Sequence, residues 1–182
     1  MFDAPIHYIV LSRKDNTFDM DWFVRYNAVL DEIEASTGPG IMITIGTGLK
    51  LFSSGFNLEY WLKTHINKIE SSYALCSLKA RILEFSMPTM CVFNGKAVAG
   101  GFLLGSSFDR RIMDEKKGLV QLNEIQIGIP MPASMLRVLT AKFRTGVCLK
   151  LVSGQMFDVP TALQDGLIDA TYNGIDELCA QI

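Results

Sequence analysis

The chain has 182 residues, 49% of them hydrophobic and 20% charged, with 15 glycines and 6 prolines. That composition can fill one buried core and excludes a disordered or collagen-like polymer, so residues 1–182 are read as a single domain. The 17 Lys and Arg stand against 19 Asp and Glu, a formal charge of −2, which leaves no basic surplus for nucleic-acid binding.

In chain order, Ile6 to Leu11 reads as a β-rich run. Asp19 or Asp21 caps a helix to about Ser36, with Phe23, Tyr26, Leu30 and Ile33 on one face, and Thr37-Gly38-Pro39-Gly40 breaks it. The apolar run Ile41 to Ile45 predicts a strand buried on both faces. A long helix follows over roughly Lys63 to Phe85, its apolar stripe being Ile66, Ile69, Tyr73, Cys76, Ala80 and Leu83. Thr89 to Phe93 is another buried strand. The small residues of Ala97 to Gly105 suit a tightly packed helix, Phe108 to Met113 a strand, and Leu119 to Leu122 a short extended piece. Helices close the pattern at about Ala133 to Phe143, Val147 to Val152 and Pro160 to Gln164. Alternating strands and helices with no dividing linker predict an α/β fold around a largely buried sheet.

Several chemistries are absent from the pattern. Cys76, Cys91, Cys148 and Cys179 are far apart, as reduced thiols rather than a disulfide frame or a zinc site. His7 and His65 have no nucleophile and orienting acid around them and read as structural or exposed. Gly46-Thr47-Gly48 does not extend into a dinucleotide or phosphate loop. The longest apolar stretch, Ala97 to Leu104, is too short to span a bilayer, and neither end of the sequence carries a targeting signal.

Three segments carry chemistry. Lys50-Leu51-Phe52-Ser53-Ser54-Gly55-Phe56-Asn57-Leu58 and Asn94-Gly95-Lys96-Ala97-Val98-Ala99-Gly100-Gly101-Phe102 each run from a strand through a glycine turn into a helix. A helix start leaves backbone N–H groups free to hold an anionic oxygen, although either segment alone reads as no more than a tight turn. Leu122-Asn123-Glu124-Ile125-Gln126-Ile127-Gly128-Ile129-Pro130 sets one carboxylate in an apolar stretch. Alone, Glu124 reads as a surface residue with apolar neighbours. Buried beside a glycine-walled pocket, its pKa would rise into a range suited to proton transfer.

In this order and at these separations the segments resemble the crotonase superfamily (enoyl-CoA hydratase/isomerase), from about Ile6 to Tyr172. The likeness includes Leu151-Val152-Ser153-Gly154 and Ala162-Leu163-Gln164-Asp165-Gly166-Leu167-Ile168-Asp169. Within the superfamily the chain looks most like the Δ3-Δ2-enoyl-CoA isomerases. The resemblance implies a spiral of ββα units that binds a bent acyl-CoA, with coenzyme A as part of the substrate and no metal or other cofactor. It implies an oxyanion hole from the N–H groups of Phe56 and Gly100, a pantetheine and thioester path along Ser54, Gly55, Phe56, Asn57 and Leu58, and Lys50 near the CoA phosphates. Glu124, beside Asn123, would be the one catalytic carboxylate. Where hydratases carry a second carboxylate, this sequence has Leu103. The resemblance further implies a homo-oligomer, usually a trimer, or membership of a larger assembly, and a mitochondrial or peroxisomal address.

The sequence departs from the family in two ways. Family members generally continue for several tens of residues past the G-L-I-D segment into C-terminal helices, whereas this sequence ends at Ile182, so most of that helical layer is expected to be lacking. Phe56 and Asn57 also stand where a smaller residue and Asp are usual. Two alternatives to the isomerase follow: a catalytically inactive crotonase-fold subunit, or another acyl-CoA reaction such as hydrolysis or decarboxylation.

Overall fold

A computed structural model describes residues 5–36, 38–48 and 50–182; within the helix-breaking segment, Thr37 lies outside the described residues. The chain repeats one move three times. Strand β2 (Ile41–Gly46) is followed by the short β3 (Leu51–Ser53), β4 (Thr89–Phe93) by β5 (Lys96–Val98), and β6 (Arg110–Asp114) by β7 (Leu119–Gln121). The longer strands join β1 (Ile6–Leu11) and β9 (Ala170–Tyr172) in a parallel sheet of order β1-β2-β4-β6-β9. The short ones form a second sheet of order β3-β5-β7-β8, parallel except for β8 (Met156–Phe157). Because β3, β5 and β7 are parallel neighbours, their C-terminal ends lie side by side, and so do the three turns that follow. This is the expected ββα spiral.

Helices cover the sheets for reasons legible in the side chains. In α1 (Met20–Glu34) the Asp19 carboxylate accepts the Trp22 N–H at 2.8 Å, and Trp22, Phe23, Tyr26, Leu30 and Ile33 are buried. The short α2 (Leu58–Trp61) precedes α3 (His65–Leu83), which Thr64 caps. The apolar stripe expected on α3 is overturned. Ile66, Ile69 and Tyr73 are 64%, 70% and 74% exposed, while Ser71, Leu75, Leu78, Lys79 and Ile82 face the core. The second stripe, Leu75-Leu78-Ile82, meets the core beneath α1, and a helix apolar on two faces cannot tell by period which one is buried.

The helix expected over Ala97 to Gly105 is divided. Ala97 pairs with Val120 in the second sheet, Ala99 breaks the run at φ 49°, ψ −126°, and only Gly100–Gly105 forms helix α4. The strand expected from Phe108 begins at Arg110, two residues later. Helices α5 (Ala133–Lys142), α6 (Thr145–Val152) and α7 (Val159–Gln164) lie as the pattern predicts. After α7, Arg111 donates from its Nη2 to Asp169 at 2.9 Å and from its Nε to the Leu167 carbonyl, which holds β9 beside β6. The final helix α8 (Ile175–Gln181) covers part of the outer sheet face, with Leu178 packed in a cluster with Ile43, Val92 and Ile112. Among the described residues no helix is long and apolar enough to cross a membrane.

Candidate active site

The first turn leaves β3 under tight control. The buried Ser53 hydroxyl donates to the Asn16 carbonyl at 2.7 Å and accepts the Gly55 N–H at 3.1 Å. Gly55 has φ +84°, a conformation open to glycine but strained for other residues. Phe18 donates to the Gly55 carbonyl and accepts the Asn57 N–H, both at 2.8 Å, so Phe56 lies between two pinned residues. Gly100 opens α4 and has no carbonyl one turn behind it in the helix. Among the described residues neither the Phe56 nor the Gly100 N–H is donated to a protein acceptor. A Cβ on Gly100 would lie 3.1 Å from Gly55 Cα and 3.5 Å from Phe56 N, so the two turns touch backbone to backbone.

The third turn follows β7. Glu124 starts a 3₁₀ turn, Glu124–Ile127, closed by Gly128 at φ +69°, and its carbonyl accepts the Ile129 N–H at 2.8 Å. Gln121 and Gln126 both donate side-chain N–H to the Gly154 carbonyl, which ties this turn to the Ser153-Gly154 segment. Glu124 is 9% exposed, and its Oε2 has no hydrogen-bond partner among the described residues; nor has Asn123 Oδ1. Burial pushes the Glu124 carboxyl above its usual pKa, and a backbone hydrogen bond opposes this more weakly.

These turns bound one side of a cavity of about 920 Å³. Of the residues singled out in the sequence, Ser54, Phe56, Leu58, Asn123 and Glu124 line it, as does Leu103, while Gly55 and Gly100 meet immediately behind Phe56 and Ala99. Asn57 and Lys50 do not line it either. Asn57 is a helix cap, its Oδ1 accepting the Tyr60 N–H at 3.2 Å. Lys50 lies before β3, at the opposite end of the short strands, on a separate cleft of about 460 Å³ with Lys96, Lys116 and Lys117.

Sequence reasoning missed the other wall. Trp61, Leu62 and Ile69 of the α2–α3 segment line the cavity, together with Met131 and Met135. Phe56 stacks on Trp61 with ring centroids 6.1 Å apart, and Lys68 Nζ lies 5.1 Å from the Trp61 ring. The spacing of Leu58, Trp61 and Leu62 is a helical one and could have marked this face; nothing marked the methionines.

Three stacked ββα units closing on such a cavity define the crotonase architecture. A solved enoyl-CoA hydratase/isomerase family protein from Pseudomonas syringae has this fold: TM-score 0.89 at 24% identity, covering 100% of this chain and 78% of that one. The chain belongs to the enoyl-CoA hydratase/isomerase family, whose sequence model matches residues 2–179. It is similar to enoyl-CoA delta isomerase 2, peroxisomal, of Arabidopsis thaliana, 29% identical over 173 residues, 90% of this chain and 71% of the relative. It is also similar to enoyl-CoA delta isomerase 3 of that organism, 27% identical over 163 residues, 86% of this chain and 68% of the relative.

Proposed function

We propose that the protein moves the double bond of a 3-enoyl-CoA to the 2-position, with Glu124 as proton carrier and the N–H groups of Phe56 and Gly100 as the oxyanion hole. The observation that carries this reading is that Glu124 is the only carboxylate among the described residues lining the cavity, and its buried Oε2 has no partner.

The chemistry follows from acidity. The C2 proton of a thioester is a weak acid, and a carboxylate removes it only if the enolate oxygen is stabilised as its charge appears. One oxyanion donor contributes about 2.7–4 kcal/mol of barrier lowering. Glu124 takes the C2 proton, and the electron pair is shared between the thioester oxygen, through C1, and C4, through the former C3–C4 double bond. The new Glu124 acid then returns the proton to C4 as the charge flows back from the oxygen. The double bond then lies between C2 and C3, with no atom gained or lost. Raising the carboxyl pKa makes its ionised form a stronger base toward the C2 proton and narrows the gap to the weakly acidic thioester, whose dienolate the protonated carboxyl then reprotonates. Hydration would need a second group to orient water; Leu103 offers none and is 1% exposed in an apolar wall.

No cofactor beyond the substrate's own coenzyme A enters this reading. Assembly as a trimer or within a larger complex, and a peroxisomal or mitochondrial address, belong to the same proposal. The test is to incubate the purified protein with 3-hexenoyl- and 3-dodecenoyl-CoA and follow the absorbance of the conjugated 2-enoyl product. Turnover that vanishes in Glu124→Gln supports the proposal; no turnover, or turnover indifferent to that substitution, rejects it.

A further inference from the structure

The cavity extends well beyond what the reacting carbons need. Its volume of about 920 Å³ lies near the top of the roughly 300–1,000 Å³ range in which small-molecule sites bury most of a ligand. Ser54, Asn123 and Glu124 bring polar atoms to the turns, whereas Leu62, Ile69, Ile127, Met131 and Met135 make most of the remaining wall apolar, with Thr17, Lys68 and Ser72 as its polar side chains. The Lys68 ammonium is engaged over the Trp61 ring. At the lip, Ile66, Ile69 and Tyr73 of α3 are 64%, 70% and 74% exposed. Spacings of three and four residues put them on one helix face, a ridge about 10 Å long. Leu62 and Ile127, 58% and 49% exposed, line the cavity together with Ile69. Scattered exposed apolar residues are ordinary, but a contiguous set marks a binding surface, and this ridge runs into the cavity through Ile69.

Building on the acyl-CoA reading above, we infer that the site selects long-chain acyl groups, the first methylenes filling the cavity beyond Glu124 and the tail lying along the Ile66–Ile69–Tyr73 ridge. Each methylene fully removed from water tightens binding about fourfold, and one lying half-exposed on the ridge tightens it less.

Calorimetric titration with butanoyl-, octanoyl-, dodecanoyl- and hexadecanoyl-CoA, below their micelle concentrations, reads binding without turnover. The expected result is a Kd that falls at each step and by about tenfold or more between octanoyl- and hexadecanoyl-CoA. The double variant Leu62→Ser/Ile69→Ser, at positions already exposed, should lose most of that last gain. Leu149→Ser, at an exposed leucine of α6 outside the cavity, should keep it. Affinity that levels off or declines beyond octanoyl-CoA, or a gain that survives the double variant, overturns the chain-length assignment. A protein that shows the expected binding series yet never isomerises 3-dodecenoyl-CoA keeps the assignment and loses the isomerase reading, whereas failure to bind any acyl-CoA removes both.

Discussion

A Cβ on Gly55 would lie 2.5 Å from the backbone nitrogen of Gly100. The two glycine turns therefore leave no room for a methyl group between them, and the spacing of the Phe56 and Gly100 amides is set by direct backbone contact. Gly55→Ala has to push the turns apart and also places alanine at φ +84°. We expect kcat to fall about 10²–10³-fold, the effect of losing one oxyanion donor. Stability should fall by about 1–3 kcal/mol. Gly100→Ala meets its nearest backbone atom at 3.1 Å and should be milder on both counts. Steady-state kinetics and denaturant titration of the two variants check the ranking; equal effects would contradict it.

Ala99 holds φ 49° and ψ −126°, a region in which residues with a side chain are strained. Its position immediately before the Gly100 amide suggests what maintains the strain: the Ala99 N–H is donated to the Gln121 carbonyl at 2.8 Å, and its carbonyl accepts from Leu103 at 3.0 Å. Glycine there would release about 1–3 kcal/mol of strain and lose about 0.5–1 kcal/mol to chain entropy. Ala99→Gly should therefore raise stability by about 1 kcal/mol and lower kcat a few-fold, because the amide direction is less fixed. A stability loss on thermal or urea unfolding would refute the strain account.

Glycines and caps were legible in the sequence, because each answers to a local rule. The burial of the lone acid was not, since Glu124 by itself reads as a surface residue and only the family resemblance put it in a site. Asp19 or Asp21 announced α1, of which Asp19 is the cap, and Gly55 and Gly100 announced tight turns. The walls were not, since they depend on which face of a helix meets which neighbour. The α3 segment has apolar residues on two faces, and its inward one carries Ser71 and Lys79, so the pattern favoured the stripe that lies outside. The division of Ala97–Gly105 was hidden for a related reason: small residues suit a short buried strand and a buried helix equally, and the positive φ of Ala99 is invisible in its side chain. Nor do the three ββα units share a sequence repeat, because each turn serves a different part of the site.

Burial raises the Glu124 carboxyl pKa, and this has consequences of opposite sign for activity and stability. As the base must be ionised, kcat/KM should climb with pH along a limb centred above the ordinary 4.5. A raised folded-state pKa stabilises the fold fully below that ordinary value, and the contribution is lost as pH rises through the shifted one. Glu124→Gln should therefore lose about 10²–10⁴-fold in kcat. It should also be more stable than wild type at neutral pH, with the difference closing in acid. A limb at the ordinary carboxyl pKa, or no stability gain at neutral pH, would count against the buried carboxylate.

Lys79 presents the converse case. It is 1% exposed, its Nζ has no hydrogen-bond partner among the described residues, and burial lowers its pKa from an ordinary 10.5 to about 8, partly opposed by Cys76 and reinforced by Lys142. A depressed folded-state pKa means that stability is fully present above the unfolded value and lost as pH falls through the folded one. At neutral pH the buried ammonium then costs about 3 kcal/mol relative to the neutral amine. Methionine fills similar space without charge, so Lys79→Met should stabilise the protein by about 2–3 kcal/mol at neutral pH. That advantage should shrink between about pH 8 and 10.5, where wild-type Lys79 becomes neutral in the folded state but remains charged in the unfolded chain. Paired urea titrations of the two proteins at neutral and strongly basic pH measure the difference directly, since groups that titrate alike in both cancel. A gain of equal size at both pH values would assign the effect to packing and remove the charge from the explanation.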